Sequence, residues 1–387
     1  MKILKVVFRL FLGIVFTLSG FFKAVDPLGF GYKLTDYFTD AFGIPSLSGI
    51  SLILSVLLIA FEFLVGICLI INIKPRLSAL GALLFMLVFT PLTLYIAIAN
   101  PVTDCGCFGD ALVIGNWETF IKNIVLLPMS IILFIGTKGE HNTYKPKVDW
   151  LIAGLLFLLV IFFQFYNLRH LPVIDFRPYK VGANIPELMV VPPGEKTDSF
   201  AIFYTMQQIE TGETKKVDDK TYINDEVWKD TLWKITETSD PVLVKSGYKP
   251  PIYNFSAYPV NLGNLKSETK DVMDSILAEK NYSFIIVSYD MSKAKIEDFN
   301  RMDILINYAY SKNISTNLLT STTSGFSDFI QKLMYPIQIF NTDPITLKTV
   351  IRSNPGLLLI KQGKIIGKWH YNDIPTVPEF DEIIAMN

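Results

Sequence analysis

The chain has 387 residues, half of them hydrophobic, and a formal net charge of −1. That is too apolar for an ordinary soluble protein of this length, and a near-neutral chain lacks the basic footprint of a nucleic-acid binder. The apolar residues crowd the region before about residue 167, and the remainder alternates short apolar runs with Lys, Asp, Asn and Pro; a membrane domain followed by a soluble domain is expected.

Five segments are long enough to cross a hydrocarbon layer of about 30 Å at about 1.5 Å per residue. They are Leu4–Ala24, Ile50–Ile73, Leu77–Ala99, Trp117–Gly136 and Trp150–Tyr166. The first follows Lys2 and Lys5 and contains Arg9, like the start of a signal peptide. It ends in "SGFFKAVDP" without a small-x-small cleavage pattern, so it is expected to stay as an anchor. Those three basic residues, then Lys74 and Arg76, then Lys138, Lys145 and Lys147 mark the cytoplasmic side. The loops after spans one and three, and everything after span five, then face outward. The expectation is a bacterial inner-membrane protein with a cytoplasmic N-terminus, a periplasmic C-terminal domain and lipid as its surroundings. Trp117, Trp150, Phe163 and Tyr166 fall near span ends, as interfacial aromatics do. Between spans one and two, "FGYKLTDYFTDAF" (Phe30–Phe42) is too polar to span. It reads either as an interfacial helix or as a connecting helix of the bundle.

The second span, "LLIAFEFLVGICL", carries Glu62. An ionisable group there is costly and faces the bundle interior or a cavity. Glu62 reads either as an intramembrane acid that handles protons near the loop, or as a hydrogen-bond partner of Ser, Thr or Tyr on a neighbouring span. Lys23, at the outer end of span one, is a partner for Glu62 or Asp104, with snorkelling to the interface as the simpler expectation. Cys68, mid-span, reads as a small buried apolar residue.

The loop after span three, "NPVTDCGCFGDALVIGNW", holds two of the three cysteines, Cys105 and Cys107. Outward-facing compartments let disulfides persist, and thiol reactivity depends on exposure and nearby positive charge. A Cys-x-Cys disulfide closes a very small ring; Gly106 relieves crowding, and strained exposed disulfides are the labile, catalytic or regulatory ones. Asp104 and Asp110 flank the pair, and their charge is expected to oppose thiolate formation. Three readings stay open: a redox pair exchanging with a partner's thiols or disulfide, a static loop staple, and two thiols that stay reduced or bind metal. Metal is the weakest, because two thiolates one residue apart do not complete a tetrahedral site and His141, His170 and His370 are distant in sequence.

"FRLFLGIVFTLSGFFKAVDP", with Arg9, Gly13, Ser19, Gly20, Phe21 and Lys23, resembles the first helix of DoxX-like membrane proteins. Glu62 followed by Gly66 resembles their second, and "DCGCFGD" is similar to the MauE branch, named from methylamine utilisation. The resemblance covers about the first 137 residues. It implies a four-helix membrane fold shared with DoxX proteins and, more distantly, with disulfide generators of the vitamin K epoxide reductase type. It also implies help with disulfide formation, the part MauE proteins are implicated in for the methylamine dehydrogenase small subunit. A fifth anchoring span, "LPVIDFRPYKVGANIPE" and a large outer domain depart from a minimal MauE and look like DoxX-type proteins of Bacteroidetes, so only the redox idea carries over. No cofactor is fixed by a motif; a quinone is the one left open.

Beyond Ile174, "SFAIFYTMQQIETGETKKVDD" reads as a hairpin turning at Thr211-Gly212. "YSFIIVSYD" is a buried strand, "KIEDFNRMDILINYAYSK" a helix with Phe299, Met302, Ile306 and Tyr310 at helical spacing, and "ISTNLLTST" a second strand. "GFSDFIQKLM" and "DPITLKTVIRS" read as helices, with Pro344 well placed at a start. "PGLLLIKQGKIIGKW" is a hairpin about Gln362-Gly363, and "TVPEFDEIIAM" closes as a helix. This order, with "SNPGLLLIKQGKIIGKW", resembles an α/β thioredoxin-like domain in which Pro355 is the cis-proline. Where a working thioredoxin carries Cys-x-x-Cys, this chain has "SYDMSKAK" and no cysteine. The resemblance implies a degenerate module that binds or presents a partner at the surface of Pro355 and Asn354, or a structural cap. The expected division is 1–137, 138–170, 171–280 and 281–387.

No G-x-x-x-x-G-K-[ST] loop is present, and the sequence justifies no Ser/His/Asp constellation. The leading expectation is a membrane component of extracytoplasmic thiol-disulfide or protein-maturation machinery, with Cys105 and Cys107 as the redox pair and a protein client or redox partner. The alternative is a non-enzymatic scaffold subunit of an envelope complex. A conduit around Glu62 ranks last, because transport sites often show paired intramembrane charges.

Overall fold

A computed structural model describes residues 2–102, 104–139, 144–245, 247–261, 266–267, 270–322, 332–333 and 335–386. The apolar segments become helices α1 (Lys2–Val25), α3 (Ser51–Ile70), α4 (Pro75–Ala99), α5 (Asn116–Gly136) and α6 (Pro146–Arg169), with the short α2 (Pro27–Asp36) after α1. Among the described residues five helices are long and apolar enough to cross a membrane. Residues such as Leu84, Val88, Leu155 and Phe162 stay exposed on them, as a surface that meets lipid tails requires. The chain is thus a helical membrane region followed by an α/β domain.

Small residues bring α1 against α3. A Cβ at Gly20 would stand 2.8 Å from the Phe63 backbone, and one at Gly66 would overlap the Thr17 amide. Close backbone approach through small residues is how apolar helices associate without a hydrophobic driving force. Here it sets Ser19 and Lys23 of α1 opposite Glu62 of α3.

Asp26 caps α2, its Oδ1 accepting the Gly29 N–H at 2.8 Å, and Pro27 occupies the first turn, where its missing N–H costs nothing. Phe30, Leu34 and Tyr37 are buried in a cluster with Ile59, Ile96 and Val160. The aromatic side of this segment packs on the bundle, as the connecting-helix reading expects.

The chain divides into two compact units, one of Met1–Ala183 with Ser256–Asn387 and one of Asn184–Phe255. In the smaller unit, α7 (Ile185–Met189) precedes β1 (Ser199–Ala201), β2 (Phe203–Gln208), β3 (Thr214–Asp218), α8 (Asp219–Asn224), β4 (Trp233–Thr238) and β5 (Val242–Lys245). Strands β3-β2-β4 form one sheet and β1-β5 another. The β2–β3 pair is the hairpin expected at Thr211-Gly212, with Gly212 at φ +73°.

The larger unit continues with β6 (Tyr258–Asn261), β7 (Lys266–Ser267), α9 (Met273–Leu277), β8 (Tyr282–Ser288), α10 (Ile296–Asn300), α11 (Asp303–Ser311) and β9 (Ser315–Thr320). Then come β10 (Gln338–Asn341), α12 (Pro344–Val350), β11 (Gly356–Lys361), β12 (Lys364–His370) and α13 (Val377–Met386). The sheet order is β12-β11-β8-β9-β10-β6-β7. Strands β8, β9 and β10 are parallel, and β11 is antiparallel to both β8 and β12. Phe284, Ile286, Phe299, Ile306, Leu359 and Phe380 centre its core.

Three differences from expectation have physical reasons. Residues 171–183 and 256–280 were expected with the region between; they join the larger unit because β6 pairs with β10 and because Gly182 and Ala183 exchange backbone hydrogen bonds with Ile365 at 2.7 and 2.9 Å. The single helix expected from Lys295 breaks into α10 and α11 at Arg301-Met302, where Met302 is fully buried. Strand β10 was not anticipated, since "PIQIF" is too short to show a period. The "GFSDFIQKLM" segment lies, apart from residues 332–333, outside the described residues.

Candidate functional site

The cysteine loop is held on several sides. Helix α4 ends at Asn100 in the left-handed region (φ 47°), and Asn116, opening α5, donates from Nδ2 to Asn100 Oδ1 and to the Val102 carbonyl, both at 2.9 Å. The Tyr37 hydroxyl donates to the Cys105 carbonyl at 2.5 Å. Asp104 accepts the Gly106 N–H at 3.0 Å and Lys33 Nζ at 2.7 Å. Gly106 has φ +66°, and a Cβ there would crowd Lys33 Cγ at 3.2 Å, so this turn requires glycine. The reversal brings the two sulfurs to 3.0 Å with neither in a disulfide.

Both cysteines line a cavity of about 50 Å³ together with Ser19, Lys23, Glu62 and Lys122. That is room for a few waters among polar partners. Glu62 forms an ion pair with Lys23 and lies 2.6 Å from the Ser19 hydroxyl, which is also 2.6 Å from the Cys107 carbonyl. Ser19 has one proton to give and serves one acceptor at a time, so the loop and the intramembrane acid share a single donor. Glu62 is thus an interhelical hydrogen-bond partner, and it stands at the wall of the cavity.

Two expectations about charge are overturned. Lys23 does not snorkel: it is 4% exposed, neutralised by Glu62, with its ammonium 5.0 Å from the Phe30 ring centroid. Nor do Asp104 and Asp110 oppose a thiolate. Lys33 binds the first, and Arg352 binds the second at 2.9 Å. The hydrogen bond from Cys105, helped by Lys122 and Lys23 against the effect of burial, brings the Cys107 thiol down to about 6. The same hydrogen bond, with burial, pushes the Cys105 thiol well above its usual value. Alkylation of the reduced full-length protein, read by peptide mass spectrometry across pH 4–10, should therefore show a midpoint near pH 6 at Cys107, with Cys105 reacting slowly throughout. Equal reactivity with a shared midpoint near that of free cysteine, about 8.5, would refute this asymmetry.

The Asn354–Pro355 bond is cis. Pro355 is buried and Asn354 half-buried. Asn354 accepts from the Ser288 hydroxyl at 2.8 Å and donates to the Asp290 carbonyl at 2.9 Å, so its polar groups serve the domain's own loop. Two residues earlier, Arg352 places Nε 2.7 Å from Asp26 while also holding Asp110, and its guanidinium lies 5.4 Å from the Tyr32 ring centroid. Tyr289, in the "SYD" position, meets Tyr32 edge-on at 6.1 Å. The edge expected to receive a partner thus rests, at Arg352 and Tyr289, on α2 and on the end of the cysteine loop.

Sequence reasoning placed Cys105, Cys107 and Glu62, and the structure brings them to one cavity. It missed Tyr37, Lys122 and Arg352 as neighbours of the site. Lys122 left a signal, a lone cation inside an apolar span; Arg352 left none, because its partners are 242 and 326 residues away. Among the described residues no group of three or more His, Cys, Asp or Glu is placed to hold a metal ion. No curated protein and no solved structure matches the chain. Residues 1–136, which carry α1 to α5 and the cysteine loop, match the family described as methylamine utilisation protein MauE, and that part of the chain is similar to that family.

Proposed function

We propose that the protein is a membrane-anchored thiol-disulfide component of extracytoplasmic protein maturation, in which Cys105 and Cys107 cycle between disulfide and dithiol. The observation that carries this is the 3.0 Å approach of two free sulfurs, one half-exposed and one buried. A client dithiol would give two electrons to the Cys105–Cys107 disulfide. The products are a client disulfide, a Cys105 thiol, a Cys107 thiolate and one proton. An external two-electron acceptor must then restore the pair, and a quinone is the class that the resemblance to disulfide generators leaves open. The Lys and Arg distribution supports an outward-facing loop and C-terminal domain. The β9-β8-β11-β12 order, the intervening α10 and α11, and the Pro355 turn before β11 support a thioredoxin-like reading of that domain. Without cysteine it has no thiol chemistry of its own, and it would position the loop or a client.

Thiol trapping in membranes prepared with and without reductant tests the reading. The pair should shift between states in growing cells, and Cys105→Ser should accumulate a mixed disulfide through Cys107. A pair locked in one state, or client disulfides unaffected by Cys105→Ser, would exclude the redox role. The second reading is a non-enzymatic scaffold with the cysteines as a staple, favoured by the ion pairs of Arg352 that tie the α/β domain to the loop. It calls for a stable partner whose co-purification survives loss of both cysteines.

A further inference from the structure

The cavity under the cysteine loop holds an unbalanced set of charges. Helix α1 contributes Lys23, α3 contributes Glu62, and α5 contributes Lys122, while α4 contributes only Phe85, Met86 and Phe89. Lys23 and Glu62 neutralise each other. On the loop, Asp104 is taken by Lys33 and Asp110 by Arg352, and Tyr37 spends its hydroxyl proton on the Cys105 carbonyl. Lys122 remains. Among the described residues no carboxylate lies within ion-pair reach of it; its ammonium sits 4.9 Å from the ring centroid of Phe108, the residue next to Cys107. Lys122 lies less than two turns after Asn116, the residue that pins the loop, so the hydrogen bonds that hold the loop also fix its distance from this cation. Lys122 is half-buried, and an ammonium drawn partly out of water without a counter-charge is costly. Among the described residues that line the cavity with it, Glu62 is already paired with Lys23, Cys105 is the buried thiol, and the half-exposed Cys107 thiol is left to supply a negative charge.

We propose that Lys122 is the counter-ion of the Cys107 thiolate and thereby a positioning residue for thiol-disulfide exchange at this loop. The inference rests on the redox reading of the pair. In that exchange Cys107 carries the charge of the reduced state and departs as thiolate when the client disulfide closes. A stabilised leaving thiolate departs faster, and a stabilised reduced form makes the disulfide a stronger acceptor of client electrons.

The test is the pH profile of Cys107 alkylation by iodoacetamide in the reduced full chain in detergent. Lys122→Gln should raise the midpoint by about one unit, as loss of a close opposite charge does, so that modification near pH 6 slows several-fold. Lys122→Arg should keep the midpoint near that of the parent. Glu62→Gln, which leaves the lysines in excess, should move the midpoint down. A merely loosened site would send both Gln variants toward the free-cysteine value, so the opposite signs separate an electrostatic role from a structural one. An unchanged midpoint in Lys122→Gln, or upward shifts in both variants, would overturn the proposal. Alkylation of reduced protein does not depend on turnover in cells, so failure here is distinct from failure of the trapping experiment.

Discussion

Replacing Arg352 with alanine should loosen the α/β domain from the cysteine loop. The guanidinium is 7% exposed and lies between Asp26 and Asp110 at 2.7 and 2.9 Å. At Asp26, burial pushes the carboxyl up, and Arg352 and Arg177 outweigh it, so the group stays below its usual range. Removing one member of a buried ion pair strands the other and typically costs about 3–5 kcal/mol. Two carboxylates would then face each other across the vacated volume. The readouts are hydrogen exchange and limited proteolysis of the full chain in detergent, with protection lost at residues 104–111 and 344–355 together. The cause is separable from lost packing. Arg352→Met should cost about as much as Arg352→Ala, and adding Asp26→Asn and Asp110→Asn should recover a large part. Protection patterns identical to the parent's would mean that these ion pairs do not hold the domain.

The second large effect is expected inside the bundle. Glu62→Ala removes the partner of a lysine that is 4% exposed and strands its ammonium among Phe30 and the backbones of α1 and α3. The same estimate of about 3–5 kcal/mol applies, read as a fall in the unfolding temperature in detergent. Lys23→Ala alone should be similarly costly. The double variant should cost clearly less than the sum, because each single change leaves the other charge unpaired. Additive losses would show that the two side chains act separately. A secondary consequence concerns the loop: with Glu62 gone, Ser19 has only the Cys107 carbonyl left as acceptor, so the loop should stay anchored even as the bundle weakens.

The elements legible in the sequence are those whose cause is local. A predominantly apolar segment of about twenty residues is long enough to span the bilayer as a helix, so α1, α3, α4, α5 and α6 appear where composition puts them, to within a few residues. β8 is a run of buried residues bounded by turns, and the β11–β12 hairpin is marked by Gln362 and Gly363, both at positive φ. Gly106 was expected to relieve crowding in a Cys-x-Cys disulfide ring; its left-handed turn between two free thiols is a finding of the structure. The β10 strand, the break between α10 and α11, and the pairing of residues 258–261 with the far sheet edge were not legible, because each is decided by a neighbour distant in sequence rather than by a period.

Charge at the site shows the same division most clearly. The sequence alone determined that Cys105, Cys107, Glu62, Lys23, Asp104 and Asp110 exist, which helix or loop carries each, and that a buried ion needs a partner. It did not determine which partner. Lys23 had two carboxylates to choose from, and close packing of α1 on α3 through Gly20 and Gly66 gave it Glu62. Asp110 looked like an obstacle to a thiolate until Arg352 arrived from the far domain. Ionisation depends on the groups within a few ångströms, whatever their position along the chain, so only the tertiary structure could decide that the loop's acids are neutralised and that Lys122 shares a cavity with Cys107.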